Sequence, residues 1–231
     1  MSWAAPIQSN LGAFGSSTSA RSVSYLSNVG SGNLLVVCAS IKLNVGSNGS
    51  VTISDTLGNT YNTAVSDFNN TAGGQGSVIF WCTSGSGGAN TVTITPFSGS
   101  TDIMTITVLE YAEPGTVSVF SSGRANGSSV APSVSNITVS TNDNLVIAVC
   151  GFNNTAASIT AGSGYTLEQS QTSGAGLEYS GVEDQANVTT TQTPSFTIGS
   201  SQGWRIAAAC FQAIVSAPSG DQYLCISGCG G

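Results

Sequence analysis

Carboxylates are the only groups in this 231-residue chain whose types and spacing could support chemistry. There is no histidine, which excludes Ser-His-Asp and Cys-His nucleophiles and imidazole-bound catalytic zinc. The only lysine, Lys42, sits outside any Gly-x-x-x-x-Gly-Lys loop, so a P-loop is absent. That leaves Glu110, Glu178, Glu183 and Asp184. A glycosidase needs two carboxyls, about 5–5.5 Å or about 6.5–9.5 Å apart. Glu178 and Glu183 are an odd number of positions apart, so in one extended strand they face opposite sides. Together with Asp184 they read as solvent-facing charges at a strand end. Glu110 closes an apolar strand, and its expected role is to pair with an arginine or face a subunit contact. No catalytic residue is assigned, and the chain is expected not to be an enzyme.

Metal and cofactor chemistry is equally thin. Asn142-Asp143-Asn144 and Ser54-Asp55 offer turn oxygens, but calcium takes six to eight and usually several carboxylates. These segments read as Asx turns that open strands. Cys38, Cys82, Cys150 and Cys210 lie in or beside apolar runs and read as small buried hydrophobes. Cys225 and Cys229 sit in a Gly-rich tail, where they either close a small disulfide loop or stay reduced. No second close cysteine pair exists to complete a zinc site. No metal or cofactor is therefore expected. Trp3, Trp81, Trp204, Tyr61, Tyr165 and Tyr179 could make a sugar platform. Trp81 and Trp204 read as core, and Tyr61 and Tyr165 as rings covering the ends of a sandwich.

The charge balance narrows the partners. Net charge is −7, only 6% of residues are charged, and the cations are Arg21, Lys42, Arg124 and Arg205. Soluble domains usually carry roughly 25%. With no cation cluster, neither a nucleic-acid surface nor a polybasic membrane anchor is expected. No run approaches the roughly 18 apolar residues of a membrane span. The start, Met1-Ser2-Trp3-Ala4-Ala5-Pro6, does not read as a secretory signal, so synthesis in a cytosol is expected. Few charges also mean weak repulsion between copies.

The elements that must carry these residues are strands. Asn90-Thr91-Val92-Thr93-Ile94-Thr95 alternates with period two. Over Asp102–Tyr111, residues 103, 105, 107 and 109 share one face and 104, 106, 108 and 110 the other. Leu34–Cys38 and Leu145–Cys150 are continuously apolar, as strands covered on both faces should be. Strand words recur along the chain. Asn33-Leu34-Leu35-Val36-Val37-Cys38-Ala39 is matched by Asn144-Leu145-Val146-Ile147-Ala148-Val149-Cys150. Gly58-Asn59-Thr60-Tyr61 is matched by Gly162-Ser163-Gly164-Tyr165, and Met104–Leu109 by Arg205–Cys210. The expected fold is all-β without substantial helix: a β-sandwich, jelly-roll-like, with an internal duplication. Residues 1–115 form the first repeat. Residues 116–216 form the second, packed with the first into one body, either as two sandwiches or with interleaved strands. Residues 217–231 form a tail.

Ser54-Asp55-Thr56-Leu57-Gly58-Asn59-Thr60-Tyr61, Gly88-Ala89-Asn90-Thr91-Val92-Thr93 and Val108-Leu109-Glu110-Tyr111 resemble segments of Ser/Thr/Gly-rich β-sandwich proteins of tailed-phage particles and bacterial surfaces. The likeness runs from about Asn33 to Ala213 and consists of turn and strand words, so it carries over no site residues. It implies a structural virion protein of the capsid decoration, or cement, type. The partners would be the major capsid protein or other virion proteins, with self-association and a place on the virion surface. Expected contacts are Trp3 and Ile7 at one end and Tyr223, Leu224 and Ile226 at the other. The alternatives are a glycan-binding tail-fibre or surface adhesin and, behind it, a carbohydrate-active enzyme.

Overall fold

Two nine-residue apolar strands, β3 (Leu34–Lys42) and β10 (Asn144–Phe152), form the spine of the computed structural model, and nearly every residue in them is buried. The structure describes residues 2–17, 19–43, 51–69, 74–95, 102–112, 115–141, 143–152, 158–172, 174 and 178–214. The expected contacts Tyr223, Leu224 and Ile226, and the pair Cys225 and Cys229, lie outside them. No helix occurs among the described residues.

The first half contributes β1 (Gln8–Ser17), β2 (Arg21–Ser24), β3, β4 (Thr52–Asp55), β5 (Asn62–Phe68), β6 (Gln75–Thr83), β7 (Thr91–Thr95) and β8 (Asp102–Tyr111). A five-stranded sheet of order β1-β8-β3-β6-β5 faces a three-stranded sheet of order β2-β7-β4. Antiparallel pairs β1–β8, β2–β7 and β3–β6 nest inside one another, with β4 and β5 at the tip. This is one long hairpin wound on itself, the jelly-roll arrangement. Val37, Ile41, Phe80, Met104 and Ile106 from the large sheet meet Val23, Val92 and Ile94 from the small one in a common core.

The second half repeats the winding. It contains β9 (Thr116–Ser129), β10, β11 (Ile159–Ala161), β12 (Thr166–Gln171), β13 (Tyr179–Val188), β14 (Phe196–Ile198) and β15 (Gln202–Ile214). Its large sheet, read from the opposite edge, runs β9-β15-β10-β13-β12, position for position the order of the first. Its small layer is the β11–β14 pair, with isolated bridges Ser133–Ser195 and Ile137–Gln192 where β2 would lie. Both halves turn from the small layer to the large through a glycine with positive φ, Gly58 at 73° and Gly164 at 86°. No named sheet mixes strands from the two halves, so the strands are not interleaved.

The register corrects one of the recurring words. Leu34 pairs with Tyr111 and Leu145 with Phe211, so Met104 corresponds to Trp204 and not to Arg205. A one-residue slip would exchange the two faces of the strand. The faces agree only with the corrected match: Met104 and Ile106 point to the outer core of their half, as do Trp204 and Ile206.

The two large sheets pack face to face, giving four layers. Strand β3 lies over β10, β6 over β15, β8 over β13, β5 over β9 and β1 over β12. Exchanging each strand for its counterpart reproduces the same set of pairs. The halves are thus related by a pseudo-twofold axis that runs along β3 and β10, the geometry of an isologous dimer within one chain. Hydrogen bonds obey the same exchange. The Ser180 and Thr105 hydroxyls are 2.7 Å apart, and at the equivalent place Ser77 donates to the Arg205 carbonyl at 3.0 Å. Between the sheets lie Leu34, Val36 and Cys38 with Leu145, Ile147 and Val149, joined by Tyr111, Phe211 and Trp3. Fully burying an aliphatic side chain of this size contributes about 1.5–3 kcal/mol.

Ser40 and Gly151 are counterparts that meet on the axis. A Cβ built at Gly151 would overlap the Ser40 hydroxyl and stand 3.0 Å from its Cβ. Gly151→Val should therefore lower unfolding free energy by about 1–3 kcal/mol through overpacking. Urea denaturation at unchanged m-value would measure it. An unchanged unfolding free energy in Gly151→Val would remove the packing explanation.

Candidate functional site

The acids expected at the surface are all buried, which reverses that expectation: Glu178 is 1% exposed, Glu183 0% and Asp184 4%. Strand β13 is covered on both faces from Tyr179 to Asp184, where every residue is buried. Alternation then decides what each acid meets. Glu178 and Asp184 point between the two halves, and Glu183 points into the outer core.

Glu178 Oε1 accepts from the Ser40 hydroxyl at 3.0 Å and the Gln75 amide at 2.9 Å, both in the other half. Burial pushes its carboxyl up to about 8, against the lowering effect of these two bonds and of Lys42. Glu183 ties two loops, accepting from the Gly162 N–H at 2.8 Å and the Ser195 N–H at 3.0 Å. Burial raises it to about 8 as well. Asp184 Oδ2 accepts from the buried Tyr111 hydroxyl at 2.9 Å, again across the halves.

Glu168, which the sequence reading passed over, completes this group. It falls at the bulge between Leu167 and Gln169, where β12 loses register with β13. The bulge brings its carboxyl into hydrogen-bond contact with Asp184. Burial is the main cause that raises both acids, Glu168 to about 7; the charge of Asp184 and the shared bond raise Glu168 further, while the bonds with Tyr111 and Glu168 hold Asp184 down against burial. They line a cleft of about 260 Å³ with Ala5, Gly164, Thr166 and Gln185. A hydrogen-bonded carboxyl pair holds a proton between its members. It leaves no space for a glycosidic oxygen between them, so it lacks the glycosidase spacing.

Glu110 is a clip and not an arginine partner or a surface group. Its buried carboxylate accepts from the Gln8 amide, the Gly30 N–H at 2.7 Å and the Asn33 amide at 2.6 Å. Asp55 organises the matching turn region of the first half. It accepts from the Asn59 N–H and amide, the Tyr61 hydroxyl and the Asn90 amide at 2.7–3.1 Å. Burial pushes its carboxyl up, but these bonds outweigh that and leave it below its ordinary value. Its oxygens are thus committed to turn donors, and among the described residues no group of three or more His, Cys, Asp or Glu side chains could hold a metal. Asn142 lies outside the described residues. Asn144 is buried and fastens Ser140 and the Val188 carbonyl.

The aromatic residues serve packing. Tyr61 and Tyr165 flank the two outer cores. Trp81 makes an edge contact with Phe211, ring centres 6.0 Å apart. Trp204 is buried and donates to Ser129. Trp3, expected as a partner contact, is instead a core residue. It packs on Tyr111 at 6.4 Å, and Asn187 accepts from its N–H and donates to its carbonyl. Ile7 is exposed, as its expected role requires. Cys38, Cys82, Cys150 and Cys210 are buried free thiols.

No family model matches this chain, and neither curated proteins nor solved structures give a match.

The buried acids give stability a definite pH dependence. Glu178 and Glu183 have raised folded-state values, so the folded chain keeps protons that the unfolded chain releases above about 4.5. Their stabilising contribution is complete below that value and disappears as pH rises through about 8. The free energy of unfolding should therefore fall between about pH 5 and 8, by several kcal/mol in total, and level off above that. Glu178→Gln, which keeps an acceptor but cannot ionise, should flatten that slope. An unchanged slope in the variant would show that Glu178 does not carry it.

Proposed function

We propose that this chain is a structural protein of a virus particle, of the kind that decorates and cements a capsid, acting through the surfaces it offers to neighbours. One observation carries the reading. Each acid that the sequence offered for chemistry is bound to strands, loops or the opposite half, in a scaffold with 6% charged residues. The acids are spent on cohesion, and among the described residues few charges are exposed. The shared winding of the halves supports reading them as two copies of one unit.

Such a protein raises particle stability by mass action, because it binds the assembled shell and not its free subunits. A stable contact of this kind buries on the order of 1,200–2,000 Å². Its partners are the major capsid protein or other virion proteins, met at the uncharged sheet edges, at Ile7 and through the tail, and its place is the virion surface. Removing residues 217–231 and counting copies bound per particle tests the tail. The expected outcome is a loss of at least tenfold in affinity, and unchanged occupancy would take the tail off the contact surface.

A second reading, a glycan-binding adhesin, is favoured by one cleft. About 180 Å³ in volume, it opens at the junction of the halves and is lined by Asn69, Gln75, Asn126, Trp204 and Arg205. Side-chain amides at its rim suit sugar hydroxyls. Glycan-array binding abolished by Asn126→Ala would favour this reading over the first, and an empty array would set it aside.

A further inference from the structure

The chain's single lysine stands beside a buried carboxamide and a buried carboxyl. Lys42 ends β3, where its cross-strand partners are Gln75 on β6 and Ile103 on β8. Strands β3 and β6 keep register without a break from Leu34 to Lys42. Their directly opposed residues therefore share a face, as do residues two apart on one strand. Ser40 and Ser77 are such an opposed pair, and both point to the other half, where the first donates to Glu178 and the second to the Arg205 carbonyl. Lys42 and Gln75, the next pair on that face, point the same way. Opposed Cβ atoms are about 4.5–5.5 Å apart, so the Lys42 amine reaches the Gln75 carboxamide. Of its two partners, only Gln75 has a carbon that an amine can attack.

Glu178 completes the group from the opposite half. Ser77 and Ser180 pair with the counterparts Ser40 and Gly151, so Gln75 and Glu178, two residues earlier, are themselves counterparts that the axis brings together. Glu178 Oε1 is 2.9 Å from Gln75 Nε2, within the roughly 2.6–3.2 Å that proton transfer requires. The Ser40 hydroxyl, 3.0 Å from the same oxygen, holds it in place. Lys42 is near enough for its charge to lower this carboxyl against burial. Gln75 is 4% exposed, and Glu178 and Ser40 are buried, so bulk water is kept from the carboxamide carbon. The cleft at the junction of the halves, lined by Gln75 and Arg205, opens beside the group and gives a small product a way out.

We propose that Lys42 and Gln75 are joined by an isopeptide bond that the chain forms by itself, with Glu178 as the acid that releases ammonia. The Lys42 ammonium, on a half-exposed side chain, first gives a proton to water. The free amine Nζ then attacks the Gln75 Cδ, and a C–N bond forms. Glu178 donates its proton to the departing nitrogen, the Cδ–Nε2 bond breaks, and ammonia leaves through the cleft. The Lys42 nitrogen sheds one proton, which returns to Glu178. Amine and carboxamide thus become a secondary amide and ammonia. Glu178 ends as it began, and no oxidant, reductant or co-reactant is consumed. The bond ties β3 to β6 beside the seam and closes the loop between residues 42 and 75, which restricts the unfolded chain as a disulfide does. It forms in the free chain, so it does not depend on a virion partner.

A tryptic digest of the denatured full chain, read by mass spectrometry, provides the test. Trypsin cuts after lysine only when the amine is free. The linked chain should yield one peptide of residues 22–124, uncut at Lys42 and lighter than its sequence by one ammonia. Lys42→Arg, which keeps the charge, should yield peptides 22–42 and 43–124 at full mass. Glu178→Gln, which fills the same space without a proton to give, should slow linking about a hundredfold or more, with its near-UV circular dichroism unchanged. Wild-type peptides 22–42 and 43–124 at full mass would overturn the proposal. So would a loss of ammonia with cleavage at Lys42 intact, which places the loss elsewhere, or a Glu178→Gln chain that links as fast as the wild type.

Discussion

Two apolar strands that need cover on both faces set the architecture. β3 and β10 each bury one face beneath a small outer sheet and the other against each other. Neither half can satisfy its large sheet alone, because the inner face would be left open to water. Face-to-face packing resolves this for both at once. It also forces counterpart residues to meet along the axis, so small residues such as Ser40 and Gly151 are needed there.

Polar chemistry follows from that interface. Glu178 and Asp184 are buried because the opposite half covers β13. Each then finds its donor in that half, from Ser40 and Gln75 or from Tyr111. Arg205 and Asp67 add an ion pair of 2.7 Å across the same seam. A buried ionised carboxylate is expensive, and the raised values of Glu178 and Glu168 express that cost. The joint is therefore firmest while these groups are protonated. Carboxyls elsewhere in proteins often mark catalysis. In this chain the same physics yields cohesion.

Much of the fold was legible in the sequence. The continuous apolar runs marked the two central strands, and strict alternation placed Met104, Ile106 and Val108 together on one face. Recurring words located the matching strands, although Met104 was set one residue out of register because small and apolar residues alternate weakly in β15. The buried acids were not legible. Period two gives the face of Glu178 and Asp184, but not that a second sheet covers that face. Glu168 was hidden by a bulge, which local sequence does not announce. Trp3 was placed at a surface because its anchors, Asn187 and Tyr111, are distant in sequence.

The account depends on the halves being one cooperative body, and calorimetric unfolding of the intact chain tests this most directly. A single transition is predicted, with calorimetric and van't Hoff enthalpies in agreement. Two separate transitions, each carrying about half of the total enthalpy, would contradict it by showing that each jelly roll stands without the other.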